Sequence, residues 1–285
     1  MTNNLRLRQL AATITRELGI RMPDTKLVML ASRLARRLRE LELDSLEAYG
    51  ARLSDPAHAP TELVELFDLA TTNKTDFFRE PKHFTYLVDH ALPALRAARP
   101  GPWTCRVWCA GCSTGQEVYT LAMVLDDYRR TNPGFEYTIH GTDISTRVLR
   151  EAIAATYPEA VVAPIPLPFR RRYLLRGKDR QRPQARIVPE LRRRVTFSRL
   201  NFMDDAYAVR GPFDIVFFRN VMIYFDRATQ QQVVARQCHH LRPGGYLFIG
   251  HTESISGLEL PLAGVSSSVW RRTGTGANDP RHGHR

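Results

Sequence analysis

Cysteine is scarce: the 285 residues hold four, too few to staple a chain of this length as a disulfide framework. Three of them read Cys105-x3-Cys109-x2-Cys112, a spacing that iron–sulfur ligands also use. A cluster needs a flexible loop to wrap the iron. Here Cys105, Val107 and Cys109 alternate along "CRVWCAGC" as residues of a buried strand do, and Gly111 stands where an aromatic is usual. The thiols are therefore read as core packing. Long apolar runs are missing too. None approaches the roughly 18 residues of a membrane span, and residues 1–8 lack the apolar stretch of a secretory signal. No membrane insertion is expected, and the expected compartment is the cytoplasm. There is no Gly-Lys-Ser/Thr phosphate loop, no Gly-x-Gly-x-x-Gly and no internal repeat.

Acidic residues are outnumbered, 29 against 41 Lys and Arg, a formal charge of +12 that calls for an acidic partner: nucleic acid, anionic lipid or acidic protein. The excess is local. Residues 1–72 carry ten basic and ten acidic side chains, whereas residues 157–194 carry eleven and three, a net of +8. That concentration reads as a docking surface more than as a genome-binding fold.

The pattern along the chain predicts two domains. Residues 1–75 read as all-helical. Leu7, Leu10, Ala11, Ile14 and Leu18 fall at helical spacing, and Pro23-Asp24 opens a second helix with Leu27, Leu30, Leu34, Leu38 and Leu41 on one stripe. Arg33, Arg36, Arg37 and Arg39 lie off that stripe. Asp44 and Glu47 resemble a capping box for a third helix, and Pro60 suits the first turn of a fourth. In residues 76–272, strands alternate with helices, the mark of a mainly parallel, doubly wound α/β sheet. Strands are expected at 106–110, 137–142, 195–200, 213–218 and 246–249, with a last one at 267–271, and a helix at 228–241. Residues 157–194, rich in proline, interrupt the alternation and read as an insert with a small antiparallel hairpin. The tail, 273–285, is expected to be disordered.

The chemistry-bearing signal is "WCAGCSTGQE", residues 108–117, where a strand runs through Gly111-x-x-x-Gly115 into a helix. Glycines there let the backbone turn sharply and a ligand approach closely. Such a ligand sits outside the carboxyl ends of parallel strands. Asp143 ends the next strand, where a carboxylate suits ribose hydroxyls and a helix N-cap equally. "LRPGGYLFIG" is a helix–turn–strand segment of the kind found late in methyltransferase sheets.

Four stretches in order, "TTNKTDFFRE" (71–80), "GCSTGQEVYTLAM" (111–123), "FFRNVMIYFD" (217–226) and "GHTES" (250–254), resemble the CheR family of chemotaxis receptor methyltransferases over nearly the whole chain. The resemblance implies a helical domain joined to a class I methyltransferase-like domain with a small β insert. It implies S-adenosylmethionine as methyl donor, no metal, and glutamate side chains in the cytoplasmic region of a chemoreceptor as acceptors. Carried over by position, it implies that Asn73, Thr75, Arg79, Gly111, Glu117, Asp143, Asn201, Phe202, Arg219 and Asn220 bind the cofactor. Arg79 and Tyr224 would stand beside the transferred methyl as catalytic residues. One departure stands out: where the family's loop usually runs Gly-Glu-Glu-Pro-Tyr, this chain has Gly115-Gln116-Glu117-Val118-Tyr119, which keeps the second acid. His83, His140, His239, His240 and His251 read as surface or structural, since no Cys–His or Ser–His pair is evident. Asn220 and Tyr224 would share a face if their stretch were helical. A nucleic-acid methyltransferase would accord with the charge. The Asn/Asp-Pro-Pro-Tyr/Phe and Pro-Cys motifs of that chemistry are absent, so nucleic acid is an unexpected partner.

Overall fold

The computed structural model describes residues 2–99, 101–179 and 181–274; from residue 275 on, the expected disordered tail lies outside the described residues. Four helices open the chain: α1 (Thr2–Leu18), α2 (Asp24–Glu40), α3 (Leu46–Ser54) and α4 (Ala59–Ala70). The apolar stripes bury Leu10, Ile14 and Leu18 of α1, Leu27, Leu30 and Leu34 of α2, and Leu66, Phe67 and Ala70 of α4. The expected Asp44–Glu47 box is displaced by one residue. Ser45 has the extended backbone of an N-cap, and its hydroxyl accepts from the Ala48 amide at 3.1 Å. Two arginines off the apolar stripe have structural partners. Arg37 ties α2 to α4 through Glu62, with Nε–Oε1 at 2.8 Å. Arg33 donates to the carbonyls of Leu69 and Thr71, which the end of α4 leaves unpaired.

A bent helical segment follows that the sequence did not predict: α5 (Lys82–Tyr86), a π turn, and α6 (Leu92–Ala97). The large sheet is built from β1 (Trp103–Ala110), β2 (Phe135–Asp143), β6 (Val195–Arg199), β7 (Phe213–Phe218), β8 (Leu241–Ile249), β9 (Leu262–Ser266) and β10 (Val269–Arg272), in the order β6-β2-β1-β7-β8-β10-β9. The first five are parallel, and β10 and β9 add antiparallel at one edge. β9 was not expected, because its side chains are nearly all exposed and carry no alternation. Pro243-Gly244-Gly245 sits inside β8 as an irregularity in the pairing with β7, not before it.

Helices α7 (Gln116–Thr131), α8 (Thr146–Ala154) and α12 (Arg227–His240) cover the sheet. Alternation sorts β1 between two cores. Cys105, Val107 and Cys109 face a layer with α5, α6, α7 and the insert, while Trp108 and Ala110 face the N-terminal helices and α12. All four cysteines are buried and free, and burial pushes the thiols of Cys105, Cys109 and Cys112 well up, so they behave as core side chains. The insert is a three-stranded antiparallel sheet and not a lone hairpin. β4 (Leu174–Arg176) and β5 (Gln184–Ile187) form the hairpin, and β3 (Thr156–Pro158), just upstream, adds to β5. Short helices α9 (Glu159–Val162), α10 (Leu167–Tyr173) and α11 (Pro189–Arg192) flank it. Among the described residues, no helix is long and apolar enough to cross a membrane.

Candidate active site

The strand order reverses between β1 and β7, and at that point the carboxyl ends of β1, β2 and β7 open onto a cavity of about 300 Å³. Every site residue inferred above lines it: Asn73, Thr75, Arg79, Gly111, Glu117, Asp143, Asn201, Phe202, Arg219, Asn220 and Tyr224. The N-terminal domain closes the cavity with Leu18, Ile20 and Lys26.

The loop after β1 owes its shape to two glycines. Gly111 has φ +78°, and a Cβ there would lie 2.5 Å from Val221 Cγ2. Gly115, φ +92°, is the N-cap of α7, and a Cβ would meet Ala152 Cβ at 2.9 Å. Four bulkier residues around the cavity also adopt the left-handed backbone: Phe78, Glu80, Ser113 and Asn220. Each costs of order 1 kcal/mol, and such strain persists where surrounding contacts over-determine it, commonly at ligand sites.

Asp143 is not the N-cap of α8; its carboxylate holds backbone amides of the loop after β1 and of the start of α8. Its Oδ2 accepts from the Ser113 amide at 2.9 Å and its Oδ1 from the Ser145 amide at 3.0 Å. The N-cap of α8 is Ser145, which accepts from the Val148 amide. With about four acceptor positions, the carboxylate is not exhausted by these amides. Burial pushes Asp143 above the ordinary carboxylate range, with the Ser145 and Ser113 amides pulling against it.

Arg219 is the hub. Its side chain is 1% exposed, with Nη1 2.8 Å from Glu117 Oε2 and Nη2 3.1 Å from Glu80 Oε2. Nη2 also donates to the Arg79 carbonyl at 2.6 Å, and the guanidinium lies over the Phe84 ring. Its Nε is buried without a partner among the described residues. Arg219 thus fixes the orientation of Glu117, whose other oxygen is 3.1 Å from Cys109 Sγ. Arg79 is freer. It donates to the Lys74 carbonyl, stands 4.0 Å from Glu80, and leaves its side chain 37% exposed.

Tyr224 is half-buried. Burial raises its hydroxyl, with the nearby Arg79 charge acting the other way. Lys26 Nζ stands 4.4 Å from the Tyr224 ring centroid, an N-terminal contribution that the sequence reading missed. The stretch 220–224 is not a continuous α-helix: Asn220 has φ +59° and a 3₁₀ turn covers Met222–Tyr224. The shared face expected of Asn220 and Tyr224 on a helix is replaced by a tight turn. Asn201 donates to the Glu17 carbonyl of α1 at 2.7 Å, and Phe202 packs edge-on against Phe218.

Glu80 and Glu253 are the acids that sequence reasoning passed over, although both lie within the quoted stretches. Glu80 meets His83 and His251, whose ligating atoms all lie within 4.8 Å of one another. The Glu80 oxygen nearest both histidines is already paired with Arg219, so a metal cation there would face a guanidinium. His83 is buried with Nε2 on Ser268 Oγ, and burial drives it down to about 3, so it is neutral. His140 bridges Thr196 and Ser198 across the sheet. The histidines with these contacts are structural, as read.

Comparison with known proteins gives a uniform result. Residues 6–71 match the CheR methyltransferase all-alpha domain, and residues 73–269 match the CheR methyltransferase SAM binding domain. The chain is 39% identical to the chemotaxis protein methyltransferase of Escherichia coli (strain K12) over 88% of its own length and 85% of that protein. It is 37% identical to chemotaxis protein methyltransferase 2 of Pseudomonas aeruginosa, over 92% of this chain and 91% of the relative. It is 35% identical to the chemotaxis protein methyltransferase of Borreliella burgdorferi, over 88% of each.

Proposed function

The chain belongs to the CheR methyltransferase family, and we propose that it transfers the methyl group of S-adenosylmethionine to glutamate side-chain carboxylates of a chemoreceptor, using the cavity at the switch point of its sheet. It is an S-adenosylmethionine-dependent methyltransferase of chemotaxis. The observation that carries the finer reading is the convergence of Arg79, Glu117, Asp143, Asn220 and Tyr224, from four separate segments, on one cavity.

The donor set suits the cofactor. Asp143 retains acceptor positions for hydroxyls, Glu117 offers a negative charge, Ile20, Ile144 and Phe202 supply apolar walls, and Arg219 Nε is a buried unused donor. When bound, S-adenosylmethionine supplies a methyl group activated by a sulfonium.

A glutamate carboxylate, with an ordinary pKa of about 4.3, is ionised near neutrality and needs no general base. The protein's task is orientation. Arg79 anchors the incoming carboxylate by a charge-assisted hydrogen bond, and its partial exposure leaves it reachable from solvent. A single anchor leaves the second oxygen nucleophilic, and the Tyr224 hydroxyl orients it. Apolar walls exclude water, which favours the meeting of an anion with a sulfonium because charge is lost as they react. The basic insert recruits an acidic segment of the receptor.

The test is chemical. Incubation with methyl-tritiated cofactor and a receptor cytoplasmic fragment, followed by mild alkali, releases volatile tritiated methanol if the product is a carboxyl ester. Label that stays on protein after alkali contradicts the proposal, because N-methyl groups survive that treatment.

A further inference from the structure

We propose that Glu253 is a positioning residue: its buried carboxylate clamps the backbone of residues 220–224 and so aims Tyr224 into the cavity. The inference rests on the reading of Tyr224 given above and adds a residue to it.

Glu253 is 7% exposed. Its Oε2 accepts from the Gly250 amide at 2.7 Å and the Asn220 amide at 2.8 Å. Burial pushes its pKa above the ordinary glutamate range, and the amides of Gly250, Asn220, Met222 and Ile223 pull it back. Among the described residues no cation pairs with it, and its hydrogen-bond donors are backbone amides. A buried carboxylate without a cationic partner is costly unless several donors converge on it. Of the two amides on Oε2, that of Asn220 opens the turn that carries Tyr224, and the Met222 and Ile223 amides lie close enough to favour the charge, while Oε1 is buried without a hydrogen-bond partner among the described residues.

Two further observations show that the clamp is tight. Asn220 adopts φ +59°, a conformation its own residue type only tolerates and the Glu253 contact holds in place. Gly250 leaves no room for a side chain: a Cβ would lie 2.6 Å from Asn220 Nδ2 and 2.8 Å from Glu253 Oε2. On the other side, Gln230 of α12 donates to the Met222 carbonyl at 3.0 Å. The turn is thus gripped from both faces, while Glu253 itself is absent from the cavity lining. Its influence on the reaction passes through Asn220 and Tyr224.

The experiment is a double-mutant cycle read by single-turnover methylation of a receptor fragment at saturating cofactor, using the full chain. Glu253→Gln keeps the shape but replaces the carboxylate by a neutral amide, which weakens its hold on the Asn220 and Gly250 amides. It is expected to lower the transfer rate about tenfold while changing the affinity for S-adenosylhomocysteine less than about fivefold. In a Tyr224→Phe background the same change should cost no more than about twofold, because the hydroxyl it aims is gone. Gly250→Ala, which presses on the same contact from the backbone side, should give the same non-additive pattern and serves if Glu253→Gln does not fold. A normal rate in Glu253→Gln alongside a slow Tyr224→Phe, or fully additive losses, overturns the clamp alone. A normal rate in Tyr224→Phe overturns the reading of Tyr224 and the clamp with it.

Discussion

Asp143 shows how a single side chain can serve the fold and the site together. Its oxygens hold the Ser113 and Ser145 amides, which shape the loop after β1 and the start of α8, and the residue also lines the cavity. Replacing it with alanine removes both amide contacts, whereas Asp143→Asn keeps the shape and one of them, so it is the milder probe. It should stay folded and lose about tenfold to a hundredfold in affinity for S-adenosylhomocysteine, the cost of about 1.5–3 kcal/mol for a hydrogen bond to a charged group. Calorimetric titration reads this directly, and unchanged affinity would remove Asp143 from the site. The glycine loop, Asp143 and the quoted stretches were legible because each is contiguous and chemically distinctive. The Arg219 hub was legible only as a cavity residue. Its pairing with Glu80 and Glu117 joins positions 139 and 102 residues apart, and no local pattern marks such a link.

At the scale of elements, α2 and α4 are joined by an ion cluster that the helical pattern did not announce. Glu62 is 2% exposed by side chain and receives Arg37 at 2.8 Å and Arg52 at 3.4 Å. Burial pushes the Glu62 carboxyl up, but hydrogen bonds and charge from Arg37 and then Arg52 bring it below its ordinary value overall. A carboxylate depressed in the folded state contributes stability that is present above its unfolded pKa and is lost as pH falls through the folded one. Thermal midpoints should therefore drop on acidification below about pH 4.3, and Glu62→Gln should flatten that dependence. Glu62→Ala leaves Arg37 without its buried partner and should cost about 3 kcal/mol, or roughly 6–12 °C in Tm. A loss under about 1 kcal/mol by denaturant titration would show that water replaces the carboxylate. Elements with buried, periodic faces were legible. β9 was not, being an exposed edge strand, nor was the bent α5–α6 segment, whose apolar residues pack on a sheet far along the chain.

For the molecule as a whole, the +8 insert is less free than its composition suggests. Arg170 pairs with Glu159, Arg172 with Asp127, and Arg194 with Glu136. Arg171 and Arg176 line a shallow hollow beside β4 and β5 and form no ion pair among the described residues, which leaves them the stronger candidates for an acidic receptor segment. Arg171→Ala with Arg176→Ala should raise KM for the receptor severalfold, leave S-adenosylhomocysteine affinity unchanged, and weaken the decline of kcat/KM with salt. Salt-independent kinetics in the natural sequence would leave these arginines as a solvated face. The account as a whole stands most directly on the rate of ester formation in a single turnover, with saturating methyl-labelled cofactor and alkali-released methanol as the readout. If Arg79 anchors the glutamate carboxylate and Tyr224 orients it, Arg79→Ala should be slower on the order of a hundredfold and Tyr224→Phe roughly tenfold, with cofactor still bound. Wild-type rates in both variants would contradict the account and move the positioning of the carboxylate elsewhere.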